Sequence, residues 1–537
     1  MESLIFNYKT KTLLLLIKEI GYKTLFKIGL LSTLLSVLEI IGFGFLVSIL
    51  TLENFEFINK NISNEEILFF LLLITIAREI IKYIISIKKE ATRIDLNHKL
   101  SEEIHSNILF STFNSTKKIG RGELYSILNE EVSRSAQSID QLIRFFESLI
   151  SFLIYVFSII FLSEKNIYPI TLALLATLIT SFLNRSSSWS LGNTYSDLVT
   201  SFQKIVNNSI DGYKTIRASS SENWFISIFK KNNKKFKKVL LNIFTKYKLL
   251  NSLRDISLIL ILLIWIYFYR SDIPTNILLT SLLFSYKSAL SATNIIHAQR
   301  LIFLNLPSYN KILDIRNKLK NDIDKQVFDL EKYKNIESIS WENSYCKIKK
   351  LHLNKGSITL IKGFSGIGKT TILDSFSGFS KENIWKLKLK NSTKIFCIKN
   401  QSIINKLITY CPQETKLFEI SLLDNIKLGI NISDEKIFNL MEMLNINYLL
   451  NDREYDKQIS LTINKFSGGE VQRIGLIRSF LRENEIEVYD EPTTYLDDQS
   501  AALVIEMIKK RSKDKIILIA SHDPRFMKIS DNIIHLN

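Results

Sequence analysis

Residues 363–370 read Gly363-Phe364-Ser365-Gly366-Ile367-Gly368-Lys369-Thr370, after an apolar run at 358–361 and before helix-forming residues. That strand, loop, helix setting is the one the G-x-x-x-x-G-K-[ST] pattern requires. Glycines let the backbone curl until its N–H groups and the start of the next helix point at phosphate oxygens. Lys369 adds a cation for the β and γ phosphates, and the Thr370 hydroxyl can ligate Mg2+; Thr371 completes this nucleotide-binding set. Further on, the strand-like IEVYDE at 486–491 ends in Asp490, placed to hold the hydration shell of Mg2+, and Glu491, placed to orient or deprotonate an attacking water. A third β-rich run, KIILIAS, delivers His522 as a donor towards a γ phosphate, and Gln413 lies in the turn YCPQETKLFE. A second glycine pair, FSGGE at 466–470, has no evident ligand of its own.

These residues need a parallel sheet to bring them together. Beyond about residue 325 short β-rich runs alternate with helical patterns, which predicts an α/β domain with a mainly parallel sheet over 326–537. Residues 1–325 have a different character. Six apolar stretches, at about 28–52, 67–87, 145–162, 168–183, 252–269 and 276–296, read as membrane-spanning helices. The first is too far from the N-terminus and too long for a signal peptide, and 13–27 reads as an interfacial helix. The connections after the second and fourth stretches are long, lysine-bearing and helical in pattern. They predict membrane helices that continue into the cytosol as hairpins, with tips near 110–123 and 210–224 and both termini cytosolic.

Composition agrees with a membrane protein. The chain has 537 residues, a net charge of +17, a mean hydropathy of +0.10 and 34 phenylalanines. No basic run is interleaved with aromatics at base-stacking intervals, so the charge is assigned to cytosolic segments and not to nucleic acid. Cys346, Cys397 and Cys411 have neither disulfide-framework nor metal-ligand spacing, which fits a reducing compartment. Glu39, Arg78, Glu79, Lys82, Lys287 and His297 lie in or near the apolar stretches, where charge usually faces a bundle interior or a water-filled path.

Taken together, the chain resembles the ATP-binding cassette (ABC) family, as an exporter-type half-transporter. FSGGEVQRIGLIRSFL is similar to that family's LSGGQ signature and its following helix, and it precedes the Asp490-Glu491 strand as the family's does. The resemblance implies that Ser467, Gly468, Gly469 and Glu470 contact ATP held by an opposite subunit, that Gln413 is the Q-loop residue and a Mg2+ contact, that Asp497 is the D-loop residue and that His522 is the switch histidine. It places Trp341 against adenine, with Tyr345 as the second choice, and coupling helices near Phe110–Gly122 and Asp211–Trp224. The family's glutamate- and glycine-bearing segment before the signature is replaced by QISLTINK.

The implied protein has an all-α six-helix transmembrane domain with long cytosolic extensions, fused to an α/β P-loop ATPase. Its cofactors are ATP and Mg2+, its partner is a second copy of itself or a related half-transporter, and its place is a bacterial inner membrane with the ATPase in the cytoplasm. The expected activity is ATP hydrolysis coupled to outward translocation of an unknown substrate such as a peptide or antimicrobial. Flipping of a lipid or lipid-linked oligosaccharide, and a non-transporting ABC-type membrane regulator, are the alternatives. About 27 residues precede the first span, so no leader-processing domain is expected there.

Overall fold

The computed structural model describes residues 2–51, 64–162, 167–269, 275–320, 330–380, 383–390, 392, 394–450 and 466–536. The chain divides into two compact units, one of Met1–Leu109 with Lys117–Asn321, the other of Phe110–Thr116 with Asp322–Asn537.

Long runs poor in glycine and proline favour uninterrupted helices, and the first unit is built of them. The helices are α1 (Glu2–Ile20), α2 (Tyr22–Thr51), α3 (Asn64–Phe110), α4 (Phe113–Ile119), α5 (Arg121–Ser126), α6 (Val132–Leu162), α7 (Ile167–Asp211), α8 (Tyr213–Ala218), α9 (Glu222–Tyr269) and α10 (Thr275–Lys320). With 47, 45, 48 and 46 residues, α3, α7, α9 and α10 are each about 70 Å long at ~1.5 Å per residue, more than twice a bilayer's hydrocarbon core. The long connections are thus continuations of the helices. The short helices α4 and α8 stand where the hairpin tips were expected.

The N-terminal segment differs from its reading as one interfacial helix over 13–27. Gly21 adopts φ +86, a left-handed conformation that ends α1, and α2 begins at Tyr22. Among the described residues three helices are long and apolar enough to cross a membrane by length and composition, at Tyr22–Val47, Gly122–Leu162 and Glu222–Phe268. The second expected span falls on α3 and carries Arg78, Glu79 and Lys82; the sixth falls on α10 and is interrupted by Ser281, Ser285, Ser288 and Ser291. The side chains of most of the fourth lie outside the described residues.

Two close approaches organise the parts of these helices that lie beyond the apolar stretches. At Gly192 of α7 a Cβ would collide with the Leu304 carbonyl of α10, so only glycine lets the two backbones meet. Residues Ile127–Glu131 form a single π-helical turn leading into α6, and it delivers the fully buried Glu131 to Ser196 of α7. Lys311 of α10 and Arg134 of α6 approach the same carboxylate at 3.6 and 3.7 Å. A buried charge of this kind persists only where it is paired.

The second unit contains β1 (Ile336–Asn343), β2 (Lys350–Asn354), β3 (Ile358–Lys362), α11 (Lys369–Phe376), β4 (Asn383–Leu389), β5 (Ile395–Ile398), α12 (Gln401–Leu407), β6 (Ile408–Cys411), α13 (Leu422–Lys427), α14 (Asp434–Met443), α15 (Gly468–Phe480), β7 (Ile486–Asp490), α16 (Asp498–Ser512), β8 (Ile516–Ala520), α17 (Pro524–Met527) and β9 (Asn532–His535). Five strands form a parallel sheet in the order β6-β7-β8-β3-β9. The other four form a separate antiparallel sheet, β2-β1-β4-β5, which the expectation of one mainly parallel sheet did not contain. Within the same unit, the Phe113 ring stands edge-on to Phe379 at 6.0 Å.

Candidate nucleotide site

In a parallel α/β sheet, ligands collect outside the carboxyl ends of the strands, where the strand order reverses. Here β3 sits between β8 and β9, and the four strands carrying chemistry all end on that edge. β3 runs into the glycine loop, β6 leads to Gln413, β7 ends at Asp490 and is followed by Glu491, and β8 leads to His522.

The loop conformation explains its glycines. Gly366 and Gly368 have φ +80 and +109, and Gly368 is the N-cap of α11, so the helix N-terminus opens onto the loop. Gly363 is needed for space, because a Cβ there would lie 3.0 Å from Ile367 and Leu536. A cleft of about 500 Å³ brings Gly366, Lys369 and Thr370 together with Gln413, Asp490, Glu491 and His522; Ser365, Gly368, Thr371 and Thr494 also line it. Lys369 is buried, donates to the Gly363 carbonyl at 2.8 Å, contacts His522 Nε2 and lies 3.6 Å from Glu491 Oε1.

Asp490 is the residue that asks for a ligand. It is 1% exposed, and neither carboxylate oxygen has a hydrogen-bond partner. Burial pushes its carboxyl up to about 6, with Glu491 and Asp374 adding to the rise and Thr370 and Lys369 opposing it. Two bare carboxylate oxygens beside a threonine hydroxyl and a phosphate-binding loop fit a hard cation with oxygen ligands such as Mg2+. Glu491 is held differently. Its φ of +47 is strained for a residue with a side chain, and its Oε2 accepts the His522 N–H at 3.2 Å and the Ser521 hydroxyl at 3.4 Å. Its Oε1 has no hydrogen-bond partner and lies 3.6 Å from Lys369 Nζ and 3.7 Å from His522 Nε2.

Other expected residues lie elsewhere. Ser467, Gly468, Gly469, Glu470 and Asp497 do not line this cleft. Ser467 is the N-cap of α15, and Asp497 is the N-cap of α16, accepting the Ser500 N–H at 3.4 Å. Gly469 packs so closely on the Tyr495 carbonyl that an added Cβ would lie 2.8 Å from it. Trp341 corrects the expectation of an adenine-stacking ring. It is fully buried, donates its indole N–H to Asn383 at 3.0 Å and meets Phe376 edge-on, so it is a core residue. Tyr345 is 76% exposed. Phe364, within the loop, is exposed but does not line the cleft. QISLTINK, at 458–465, lies outside the described residues.

Residues 346–494 match the ABC transporter family. The match covers 149 of the 537 residues and lies within the second unit. The chain is 30% identical over 189 residues to the microcin-J25 export ATP-binding/permease protein of Escherichia coli, covering 35% of this chain and 32% of that protein. It therefore aligns with about a third of the length of this relative. Against the lipoprotein-releasing system ATP-binding protein of Buchnera aphidicola subsp. Schizaphis graminum it is 28% identical over 225 residues, covering 39% of this chain and 92% of that one. A solved bacterial Atm1-family ABC exporter with ATP bound superposes with a TM-score of 0.78 at 17% identity, over 96% of this chain and 93% of that one, so the two share a fold.

The second unit also contains positioning groups that the motifs alone did not expose. Asn425, fully buried on α13, accepts the Phe418 N–H at 2.8 Å and donates to the Phe418 and Ser421 carbonyls at 2.9 and 3.0 Å. Arg478 of α15 donates to the Asn425 carbonyl at 2.6 Å, to Asn425 Oδ1 at 3.0 Å and to the Lys416 carbonyl at 2.7 Å. The segment following Gln413 is thereby tied to the helix that begins at the signature. The only signals for this in the sequence are the asparagine of LLDNI and the second arginine of the signature helix.

Proposed function

We propose that the chain is an ATP-driven membrane exporter that works as a pair of copies. The observation that carries this reading is the pairing of bare Asp490 with Lys369, Thr370 and Glu491 in one cleft, on a chain that also carries apolar helices of membrane-crossing length. Thr370, Gln413 and Asp490 would hold Mg2+, which when bound neutralises charge on the β and γ phosphates. Lys369 and the loop N–H groups bind those phosphates, and Tyr345 is the aromatic available to face adenine. Glu491 orients or deprotonates the attacking water, with its carboxylate fixed by the His522 backbone, and the His522 ring faces the γ phosphate. Ser467, Gly468 and Gly469 are N–H and hydroxyl donors at a helix N-terminus with no phosphate of their own. They serve the ATP of the second copy. ATP binding draws the two ATPase domains together and hydrolysis releases them, which alternates access across the cytoplasmic membrane.

The test is Mg2+-dependent ATP hydrolysis by the purified full-length chain in nanodiscs, wild type against Glu491→Gln. Removing the water-orienting carboxylate is expected to lower kcat by roughly a hundredfold or more while ATP still binds. Hydrolysis that survives the substitution contradicts the assignment.

A further inference from the structure

Four polar side chains that the nucleotide chemistry does not use meet inside the first unit. Glu39 of α2, Arg78 of α3, Tyr155 of α6 and Lys287 of α10 each fall near the middle of their apolar stretches, 28–52, 67–87, 145–162 and 276–296. The Tyr155 hydroxyl donates to Glu39 Oε2. Lys287 Nζ and Arg78 Nη1 approach Glu39 Oε1 at 3.6 and 4.0 Å. Arg78 also donates through Nη2 and Nε to Glu79 Oε1 at 2.8 and 3.2 Å, and Lys82 lies 3.8 Å from Glu79 Oε2.

The cluster is thus a line of alternating charge, Lys82, Glu79, Arg78, Glu39, Lys287, with three cations against two carboxylates. Each cation shares a carboxylate with another, and Lys82 and Glu79 at the outer end are the exposed pair. The formal excess is one positive charge, within apolar stretches where charge is costly and usually serves a ligand. The surroundings are aromatic: Lys287 lies 5.3 Å from the Phe43 ring centroid, and Phe284 packs against both Phe43 and Tyr155. This chain does not seal the cations away, since Arg78 and Lys287 keep 32% and 24% of their side-chain surface accessible.

We propose that this cluster recognises the cargo, and that the cargo is an amphipathic anion. Its carboxylate replaces Glu39 at Lys287 and Arg78, and its apolar body lies against the Phe43, Tyr155 and Phe284 rings. Glu39 then acts as the internal counter-ion that holds the site when no cargo is present. The inference rests on the exporter reading above. It adds the substrate class.

The test measures ATP hydrolysis by the full-length chain in phosphatidylcholine nanodiscs, with dodecanoate, dodecanol and dodecyltrimethylammonium as probes. Dodecanoate alone is expected to stimulate turnover. Its half-effect concentration should rise by roughly thirtyfold or more in Lys287→Met, return towards wild type in Lys287→Arg, and fall in Glu39→Gln, where the competing carboxylate is gone. A cluster that merely ties helices together would make Lys287→Met and Glu39→Gln fail in the same direction, and that result overturns the proposal. So does stimulation by the cationic amphiphile in place of dodecanoate, or no response to any of the three while Mg2+-dependent hydrolysis is intact; both leave the exporter reading standing. Absence of hydrolysis in the wild-type chain overturns the exporter reading and this inference with it.

Discussion

Glu470 and Ser467 hold each other at the start of α15. Glu470 Oε2 accepts the Ser467 N–H at 2.6 Å, while Ser467 Oγ accepts the Glu470 N–H at 3.3 Å. This is a capping box, and the second Glu470 oxygen accepts the Tyr448 hydroxyl. A glutamine's carbonyl oxygen can accept the Ser467 N–H in the same way. Glu470→Gln is therefore expected to leave the cap intact, whereas Glu470→Ala should cost about 1 kcal/mol locally. Hydrogen exchange at the 467–471 amides would read this as about fivefold faster exchange in the alanine variant alone. Equal acceleration in both variants would mean that the charge matters and the box does not.

The Asp490 carboxyl titrates near 6 in the folded domain, against an ordinary value of 3.8. Between those values the folded protein keeps a proton that the unfolded chain has released, so stability falls as pH rises through the window. Above it the loss is about 3 kcal/mol. Asp490→Asn is expected to be more stable than wild type at pH 7.5 in chelator without nucleotide, and the gap should close by pH 4. Thermal unfolding across that range decides it: an equal gap at both ends would contradict the assignment.

Glu487 is a carboxylate with no exposure, inside a strand of the central sheet. It accepts from Arg511 at 2.5 Å, Lys515 at 2.6 Å and the Tyr489 hydroxyl at 2.7 Å. Replacing it by alanine leaves Arg511 and the Tyr489 hydroxyl without this acceptor and Lys515 with only the Asn484 carbonyl, which should cost roughly 3–5 kcal/mol. Glu487→Leu combined with Arg511→Met should recover part of that loss. A denaturant double-mutant cycle measures the coupling, and strict additivity would show that the pair contributes nothing.

Arg478 supplies three bonds that a lysine cannot reproduce in the same plane. Arg478→Lys should therefore loosen the segment after Gln413 without touching the glycine loop. The expected result is a kcat for ATP hydrolysis lower by about tenfold, with KM for ATP little changed. A rise in KM with unchanged kcat would place Arg478 in nucleotide binding instead.

The groups legible in the sequence were those whose chemistry is local to one strand end. The loop from Gly363 to Thr370 depends on φ values that neighbouring glycines supply, and Asp490, Glu491 and His522 follow short apolar runs that read as strands from either side. The long hairpins were legible for a similar reason, since a scarcity of breakers is a property of the chain itself.

Trp341 shows where that legibility ends. A strand residue points to one face or the other according to register, and Trp341 sits opposite Leu351 and Trp385 in an antiparallel sheet that its own neighbours do not announce. The tertiary pairing turned it into the core. Glu487 reads as an odd residue in an apolar strand until α16 brings Arg511 to it, and Glu39 finds Lys287 only because α2 and α10 pack side by side. The sequence by itself determined the long helices, the phosphate-binding loop and the β3, β7 and β8 strands, because backbone sterics and apolar periodicity act over a few residues. Which side chains face each other, and so whether a carboxylate is paired in the core like Glu487, bare like Asp490 or set against cations from other helices like Glu39, was decided only by tertiary packing, because burial and distance are set by contacts between segments far apart in the chain.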